Sequence, residues 1–230
     1  MLKRLWRYSE KIFNLSQHLV NLKNKGFTRK SNEPFITAIL FIAMFMRFKS
    51  FNSLEPFMHR NSLVWKRLLN TDYLPSIDTI SRKIAKSDID GFRKMTKIFN
   101  HKLRRNKVFN IDEASWGLMV AAVDGHETFS SRKRCCKRCK RRRVKVKGEW
   151  VYEYFHAYVV CQLVLVKVPV FIDMEPIYPG EGELTAAKRL IKRVLKEQGQ
   201  MIDVFTFDAL YLDSKLLNML EKRRNIGLLC

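Results

Sequence analysis

The order of apolar runs in the second half of the chain is the sequence feature that most constrains its fold. Short runs of apolar, β-branched and aromatic residues bounded by polar or Gly residues are typical of buried strands. The predicted elements are strands at 118–123, 152–165 and 168–174, a helix at 183–196, a strand at 202–207, a helix at 214–223 and a strand at 225–229. Three strands followed by helix, strand, helix and strand predict a mixed α/β domain.

Two of these predicted strands stop on an aspartate. The run at 118–123 is followed by Asp124, and the run at 202–207 is followed by Asp208. One such aspartate is ordinary turn or helix-cap chemistry. Two of them, separated by strand, strand and helix, form a more specific arrangement. Carboxylates that converge need a counter-charge, which a divalent metal supplies.

Residues 1–110 are predicted to be helical, so the fold class is α+β: a helical N-terminal region followed by a mixed domain at 111–230. Leu15, Leu19 and Leu22 recur at helical spacing. An apolar helix is predicted at 35–46, with Glu33-Pro34 at its start, where Pro is favoured in the first turn. A third amphipathic segment is predicted at 54–69. The pattern changes to strands after about residue 107, which places the domain boundary between 106 and 115.

The segment 74–84 predicts a DNA contact in the helical region. Ser76 is positioned to cap a helix whose outer face offers Thr79, Ser81, Arg82 and Lys83. With the preceding helix it forms a candidate helix-turn-helix near 62–86. Helices with this start are also common in proteins that touch no DNA.

The charge balance indicates a polyanionic partner. The chain has 44 Lys and Arg against 22 Asp and Glu, a formal net charge of +22, which is far more than solubility needs. The most apolar window, 35–48, is too short for a membrane span and contains Arg47. No secretory signal is evident in the first residues, and the five cysteines lack the even, spaced pattern expected of a secreted disulfide framework. We therefore expect double-stranded DNA rather than a membrane as the partner, and a cytoplasmic, nucleoid-associated location.

A basic, cysteine-containing insertion at 130–148 separates the first two predicted strands of the mixed domain. Its ordinary interpretation is a solvated hairpin loop. Its density of positive charge exceeds what such a loop requires, and a row of cations would contact phosphates without reading sequence. The candidate DNA-binding residues here are Arg132, Lys133, Arg134, Lys137, Arg138, Lys140, Arg141, Arg142 and Arg143.

The same insertion raises the alternative of a structural zinc site. Cys136 and Cys139 have the CxxC spacing of zinc ligands, and His126 and His156 could complete a Cys₂His₂ set. Against zinc, there is only one close cysteine pair, and both histidines have other possible roles beside the aspartates.

Several motifs resemble those of bacterial insertion-sequence transposases of the DDE type, which have a ribonuclease H-like core. They are VAAVDGHETFSS, YFHAYVV, EPIYPGEGELTAAKRLI and DVFTFDALYLD, so the resemblance covers the second half of the chain strongly and the first half weakly. It implies that Asp124 and Asp208 are catalytic, are the first two members of an acidic triad, and hold Mg²⁺ or Mn²⁺. It further implies metal-dependent cleavage and strand transfer on double-stranded DNA, namely transposon ends and target, and a homodimer when two ends are paired.

Four further residues of these motifs are secondary candidates. Glu127 lies close to Asp124 in sequence, and Tyr211 follows Asp208. Glu181 and Glu183 lie at a predicted helix start, where an acidic side chain is favoured by the helix dipole whatever its function.

The chain departs from the family pattern at its end. A DDE enzyme needs a glutamate on a helix after the fifth strand, and this sequence ends with that predicted strand at 226–230. We expect the third acid beyond Cys230, an incomplete catalytic domain, and little or no activity of the chain alone. The alternatives are a non-catalytic DNA-binding remnant or regulator of a full-length transposase, and an unrelated metal-dependent nuclease with the same core.

Overall fold

The computed structural model describes residues 4, 7–9, 11, 33–69, 72–85, 89–109, 116–221 and 227–229. The chain divides into two compact units, Met1–Phe99 and Asn100–Cys230. The division falls inside a helix, upstream of the 106–115 boundary expected from the sequence. The helices are α1 (Glu33–Phe45), α2 (Phe51–Arg60), α3 (Ser62–Leu69), α4 (Ile77–Ala85), α5 (Ile89–Arg105), α6 (Glu183–Gln198) and α7 (Ser214–Glu221).

The first unit is helical where it is described, with a small core. The buried side chains come from one face of each helix: Ile36, Ile39 and Ile42 of α1, Leu54 and Met58 of α2, Trp65 of α3, and Ile77 and Ile80 of α4. None of the helices that the structure describes has the length and apolar character needed to cross a bilayer. The predicted leucine repeat at 15–22 lies outside the described residues.

The single amphipathic segment predicted at 54–69 is instead two helices. Asn61 ends α2: its φ of −107° and ψ of 29° are not helical, and its side-chain Nδ2 donates to the Phe57 carbonyl at 2.9 Å. The Trp65 backbone N–H then donates to the Asn61 carbonyl at 3.1 Å, so α3 begins directly after this break. The apolar spacing alone does not reveal this break.

Helix α4 begins as the sequence predicts. The Ser76 hydroxyl accepts a hydrogen bond from the Thr79 backbone N–H at 3.3 Å, as an N-cap does. Because Ile77 and Ile80 are buried, Ser81 and Arg82 are on the exposed side of the helix.

The second unit is built on a six-stranded mixed sheet. Its strands are β1 (Val120–Ser131), β2 (Lys140–Val146), β3 (Glu149–Val164), β4 (Val170–Ile177), β5 (Val204–Phe207) and β6 (Gly227–Leu229). The order is β2–β3–β1–β5–β6, and β4 also pairs with β3. Strands β1 and β3 are antiparallel, whereas β5 is parallel to both β1 and β6. The predicted α+β class, a helical N-terminal region followed by a mixed α/β domain, is confirmed.

The second half of the insertion is a strand rather than a loop, whereas 132–139 forms a turn. Strand β2 pairs with the first half of β3, from Lys140 opposite Phe155 to Val146 opposite Glu149. The two-residue connection is Lys147-Gly148, with φ of 50° and 92°. A two-residue hairpin turn with both φ values positive matches the twist of its strands, and Gly adopts that conformation without strain.

Helix α6 covers one face of the sheet. Its apolar stripe packs on residues that alternate along β1 and β3: Ala186, Ala187, Leu190, Ile191 and Val194 meet a core that includes Ala121, Val123, Val159, Cys161 and Leu163. The side chains that alternate onto one face of the strands and those on the apolar stripe of α6 therefore pack against each other in one core.

A buried ionic cluster fastens α6 to β4. Arg193 donates to Asp173 at 2.7 Å and to Glu175 at 2.8 Å, and Arg189 donates to Glu175 at 3.0 Å. Asp173 and Glu175 are each only 6% exposed. Because unpaired carboxylates are costly at that burial, these contacts fix how α6 lies along β4, and so where the first turn of α6 lies.

Candidate functional site

Asp124 and Asp208 occupy matching positions on neighbouring parallel strands. The register of β1 and β5 runs from Val120 opposite Val204 to Val123 opposite Phe207. Each aspartate is the next residue of its chain, and both side chains are exposed. The sheet thus brings two carboxylates to one edge, at the carboxyl end of β5.

Strand β1 does not stop at Asp124, contrary to the sequence prediction. Its antiparallel pairing with β3 continues from Asp124 opposite Val160 to Ser131 opposite Tyr154. What ends at this point is the parallel partner β5, so β1 continues beyond the edge of its neighbour. Asp124 is exposed because β5 ends, and not because its own strand does.

Backbone amides orient both carboxylates. Oδ1 of Asp124 accepts from the Gly125 N–H at 2.8 Å, and Oδ1 of Asp208 accepts from the Ala209 N–H at 2.6 Å. Asp208 also caps the short 3₁₀ turn Ala209–Tyr211. Within the part of the chain that the structure describes, neither carboxylate has a Lys or Arg partner. Each therefore retains its second oxygen for an external ligand.

Glu183 and Tyr211 complete the surroundings of the two aspartates. Glu183, in the first turn of α6, accepts a hydrogen bond from the Tyr211 hydroxyl. A Cβ atom at Gly125 would overlap the Glu183 carboxylate, so this carboxylate lies directly against the β1 backbone beside Asp124. Burial, the bond to Glu183 and the charges of Asp124 and Asp208 all raise the pKa of Tyr211. Tyr211 thus stays a neutral donor.

The other two secondary candidates are held by arginines. Glu127 receives two bonds from Arg142, at 2.8 and 2.9 Å. Glu181 receives two from Arg189, at 2.7 and 2.6 Å, and these bonds lower its pKa. Among the described residues, Glu183 therefore differs from Glu127 and Glu181: its carboxylate accepts from a neutral phenol, whereas guanidinium groups neutralise the other two.

The carboxylate pair suits magnesium. Hard carboxylate oxygens and retained waters are the donor set that Mg²⁺ prefers, and one or two protein carboxylates suffice. Among the described residues, the one group of three His, Cys, Asp or Glu ligand atoms within 4.8 Å of one another is Cys136, Cys139 and His156. Asp124, Asp208 and Glu183 therefore do not form a closed triad. Asp124 and Asp208 are the side chains that would hold the ion, with water completing its shell.

The predicted zinc set is brought together in part. Cys136, Cys139 and His156 converge where the turn before β2 meets β3. His126 is exposed on β1, opposite Tyr158, and is not a member of the group. The bulge between Glu127 and Phe129 sets the register that puts His156 at this turn.

Strand β2 and the turn before it form an exposed basic surface, which we call the basic ribbon (residues 132–146). Arg141 lies over the Tyr152 ring at 5.2 Å, and Arg143 lies over the Trp150 ring at 5.5 Å. Trp150 is 60% exposed. Arg142, on the opposite face, is engaged by Glu127 and Glu153. Besides Arg142, the exposed cations of the ribbon are Arg132, Lys133, Arg134, Lys137, Arg138, Arg141, Arg143 and Lys145.

Three other predicted DNA-binding residues lie elsewhere or are partly buried or engaged. Lys140 is half-buried and donates to the Glu181 carbonyl at 3.3 Å. Arg82, on α4 of the first unit, is exposed, and its Nε donates to the Asp78 carbonyl at 3.2 Å. Lys83 follows on the same helix and is half-buried.

Comparison of the chain with protein-family models, with curated proteins and with solved structures finds no match. The fold and the geometry of the site are therefore the basis for inferring a function. The molecule is an α+β protein with a carboxylate pair at the edge of parallel strands and a basic ribbon on the same sheet.

Proposed function

We propose that this chain acts on double-stranded DNA as a transposase of the DDE type, with Asp124 and Asp208 as metal-holding catalytic residues. The observation that supports this most is their register-matched position on β1 and β5 without a cationic partner among the described residues. In a chain of net charge +22, Lys and Arg are plentiful enough to pair with most carboxylates. Two neighbouring carboxylates without such a partner are therefore distinctive.

The residues of the site have distinct roles in this proposal. Asp124 and Asp208 hold the metal, and the backbone amides of Gly125 and Ala209 keep their oxygens in place. Magnesium, when bound, would activate water or a DNA 3′-hydroxyl and stabilise the leaving oxygen. Tyr211 positions the Glu183 carboxylate against β1 beside the pair, which adds negative charge where a cation is required.

The basic ribbon supports DNA as the substrate. Its guanidinium groups are spaced along an extended strand and are held over aromatic rings, which reduces the entropy lost when they meet phosphates. Such contacts bind a phosphate backbone without selecting a base sequence. Arg82 and Lys83 of α4 are a second proposed contact. We place this activity in the cytoplasm, with two copies acting when two DNA ends are paired.

The test measures two quantities: Mn²⁺-dependent nicking of a supercoiled plasmid, and Mn²⁺ binding as monitored by electron paramagnetic resonance. We expect Mn²⁺ binding and only weak nicking by this chain, in line with the little activity expected of it alone, and loss of both in Asp124→Asn and in Asp208→Asn. Asp203→Asn is the matched control. It makes the same charge change at the opposite end of β5, where the amide oxygen can still accept from the Met119 N–H.

The outcomes separate the proposal from its alternative. Salt-sensitive plasmid binding that survives the double substitution, without Mn²⁺ binding, would replace it with a non-catalytic DNA-binding role. Nicking that persists in both single variants would remove the two aspartates from the chemistry. Nicking with no joining of a supplied DNA end would favour a nuclease over a transposase.

A further inference from the structure

A second group of potential metal ligands lies apart from the carboxylate pair. Cys136 and Cys139 come from the turn that precedes β2, and His156 comes from β3. Their ligand atoms converge: each sulfur is 3.4 Å from His156 Nε2, and the two sulfurs are 3.7 Å apart. No residue of the carboxylate site takes part in this group.

These distances are those of a tetrahedral zinc centre. With Zn–S near 2.3 Å and Zn–N near 2.05 Å, tetrahedral angles place two sulfurs about 3.8 Å apart and a sulfur about 3.6 Å from a nitrogen. The observed values agree with both to within about 0.2 Å. A Cys136–Cys139 disulfide, in contrast, needs its sulfurs about 2.05 Å apart. One zinc ion fits between the three atoms without rearranging them.

Backbone N–H groups of the turn also donate hydrogen bonds to the two sulfur ligands. The Arg138 N–H points at Cys136 Sγ at 3.3 Å, and the Cys136 N–H points at Cys139 Sγ at 3.1 Å. The backbone closes the loop with a bond from the Cys139 N–H to the Cys136 carbonyl at 3.1 Å. Amide donors aimed at sulfur stabilise the deprotonated form that binds metal. The Cys136 N–H lowers the pKa of Cys139, but burial and the neighbouring Cys136 sulfur raise that pKa on balance, so the Cys139 proton is released when the metal binds.

We propose that Cys136, Cys139 and His156 bind one zinc ion, with water as the fourth ligand. The ion is structural in its effect. It ties the turn at 132–139 to β3, so that the cations on this turn keep a defined position beside β2. The inference does not depend on the proposed transposase activity, because it concerns only metal binding and local order.

The direct test uses the natural chain, purified with a non-thiol reductant and loaded with zinc alone. We expect one zinc per chain, and X-ray absorption that shows two sulfur ligands near 2.3 Å and two lighter ligands near 2.05 Å. Cobalt substitution is expected to give the absorption of a tetrahedral thiolate site. Both measurements are made on unaltered protein, so a variant that fails to fold cannot obscure them.

Variants then identify the ligands. Cys136→Ser, Cys139→Ser and His156→Gln are each expected to weaken zinc binding by about 100-fold or more, since even outer contacts of a zinc site are worth 10- to 100-fold. The matched controls are Cys135→Ser, a neighbouring exposed thiol, and His126→Gln, an exposed histidine on β1. Both are expected to keep full zinc content.

Three results would overturn the proposal. They are natural protein that remains metal-free when supplied with zinc, an absorption spectrum without sulfur ligands, and controls that lose zinc as fully as the ligand variants. Removal of zinc by a chelator should also speed hydrogen exchange in peptides covering 132–139 while leaving those of β5 unchanged. Equal effects on both segments would argue against a local structural role.

Discussion

Substitution of Gly125 by Ala tests whether Glu183 lies against β1 beside Asp124. The backbone at Gly125 is not in the left-handed region, so Ala is sterically allowed by the chain itself. What opposes it is the Glu183 carboxylate, which occupies the space that a Cβ atom would take. Because this carboxylate is the end of a flexible side chain, it can move away. It then leaves the Tyr211 hydroxyl, on a side chain only 3% exposed, without its acceptor.

The magnitude follows from two opposing effects. An unsatisfied buried hydroxyl costs about 1–3 kcal/mol. Replacing Gly by Ala within a strand returns about 0.5–1 kcal/mol. We therefore expect Gly125→Ala to lower the opening free energy of this part of the sheet by about 1–2 kcal/mol, which is a factor of about 5–30 in the equilibrium.

The assay is amide hydrogen exchange of peptides covering β1 and β5, which reports the second unit separately from the first. The matched background is Glu183→Ala, in which the carboxylate that occupies the space of the new methyl group is absent. There, Gly125→Ala should stabilise slightly. The coupling between the two positions should reach about 2 kcal/mol, within the range seen for residues in contact. An equal cost of Gly125→Ala in both backgrounds would refute the contact between the two residues.

Three further predictions concern the charged groups around the site. Arg193→Met leaves two buried carboxylates of β4 short of a partner and should lower the free energy of unfolding by about 3–5 kcal/mol in urea denaturation. Arg141→Ala should reduce the slope of log K for DNA against log salt by about one. Arg142→Ala should change it less, because two carboxylates already engage its guanidinium. The bonds from Arg189 lower the pKa of Glu181, so the ionised carboxylate stabilises the fold above its ordinary pKa of 4.5, and this contribution is lost as pH falls through the lowered value. Glu181→Gln should therefore flatten the acid limb of a stability–pH profile, measured by thermal unfolding.

The regular elements of the second unit were predictable because their signals are local. Helix α6 was expected at 183–196 and is observed at Glu183–Gln198, since its apolar spacing matches a helix facing a sheet. Strand β5 was expected at 202–207 and is observed at Val204–Phe207. The position of Asp208 after it followed from the same apolar run.

The strands that were missed are stabilised by partners distant in sequence. Residues 125–131 and 140–146 carry no apolar alternation of their own. The first pairs with β3, and the second is held by stacking of its arginines on aromatic rings of β3 and by the Arg142 ion pairs. A hairpin turn at Lys147-Gly148 was the local signal that could have revealed β2.

Glu183 was underrated for a different reason. An acidic residue in the first turn of a helix is favoured by the dipole whatever lies nearby, so its sequence context cannot reveal a second role. The informative residue is Gly125, directly after Asp124. A position without a side chain at the edge of a sheet allows another group to approach the backbone closely, and the structure identifies that group as the Glu183 carboxylate.

The pattern of ion pairs distinguishes the carboxylates around Asp124 and Asp208 from the others in the second unit. In the second unit, the carboxylates that fasten elements together are matched with guanidinium or ammonium groups: Glu127, Glu153, Asp173, Glu175, Glu181 and Asp213. Asp124, Asp208 and Glu183 share one region and have no such partner among the described residues. Carboxylates gathered without counter-charge repel one another, which costs stability unless a cation offsets it. A bound divalent ion should therefore stabilise the folded protein, and that gain should disappear in Asp124→Asn and Asp208→Asn.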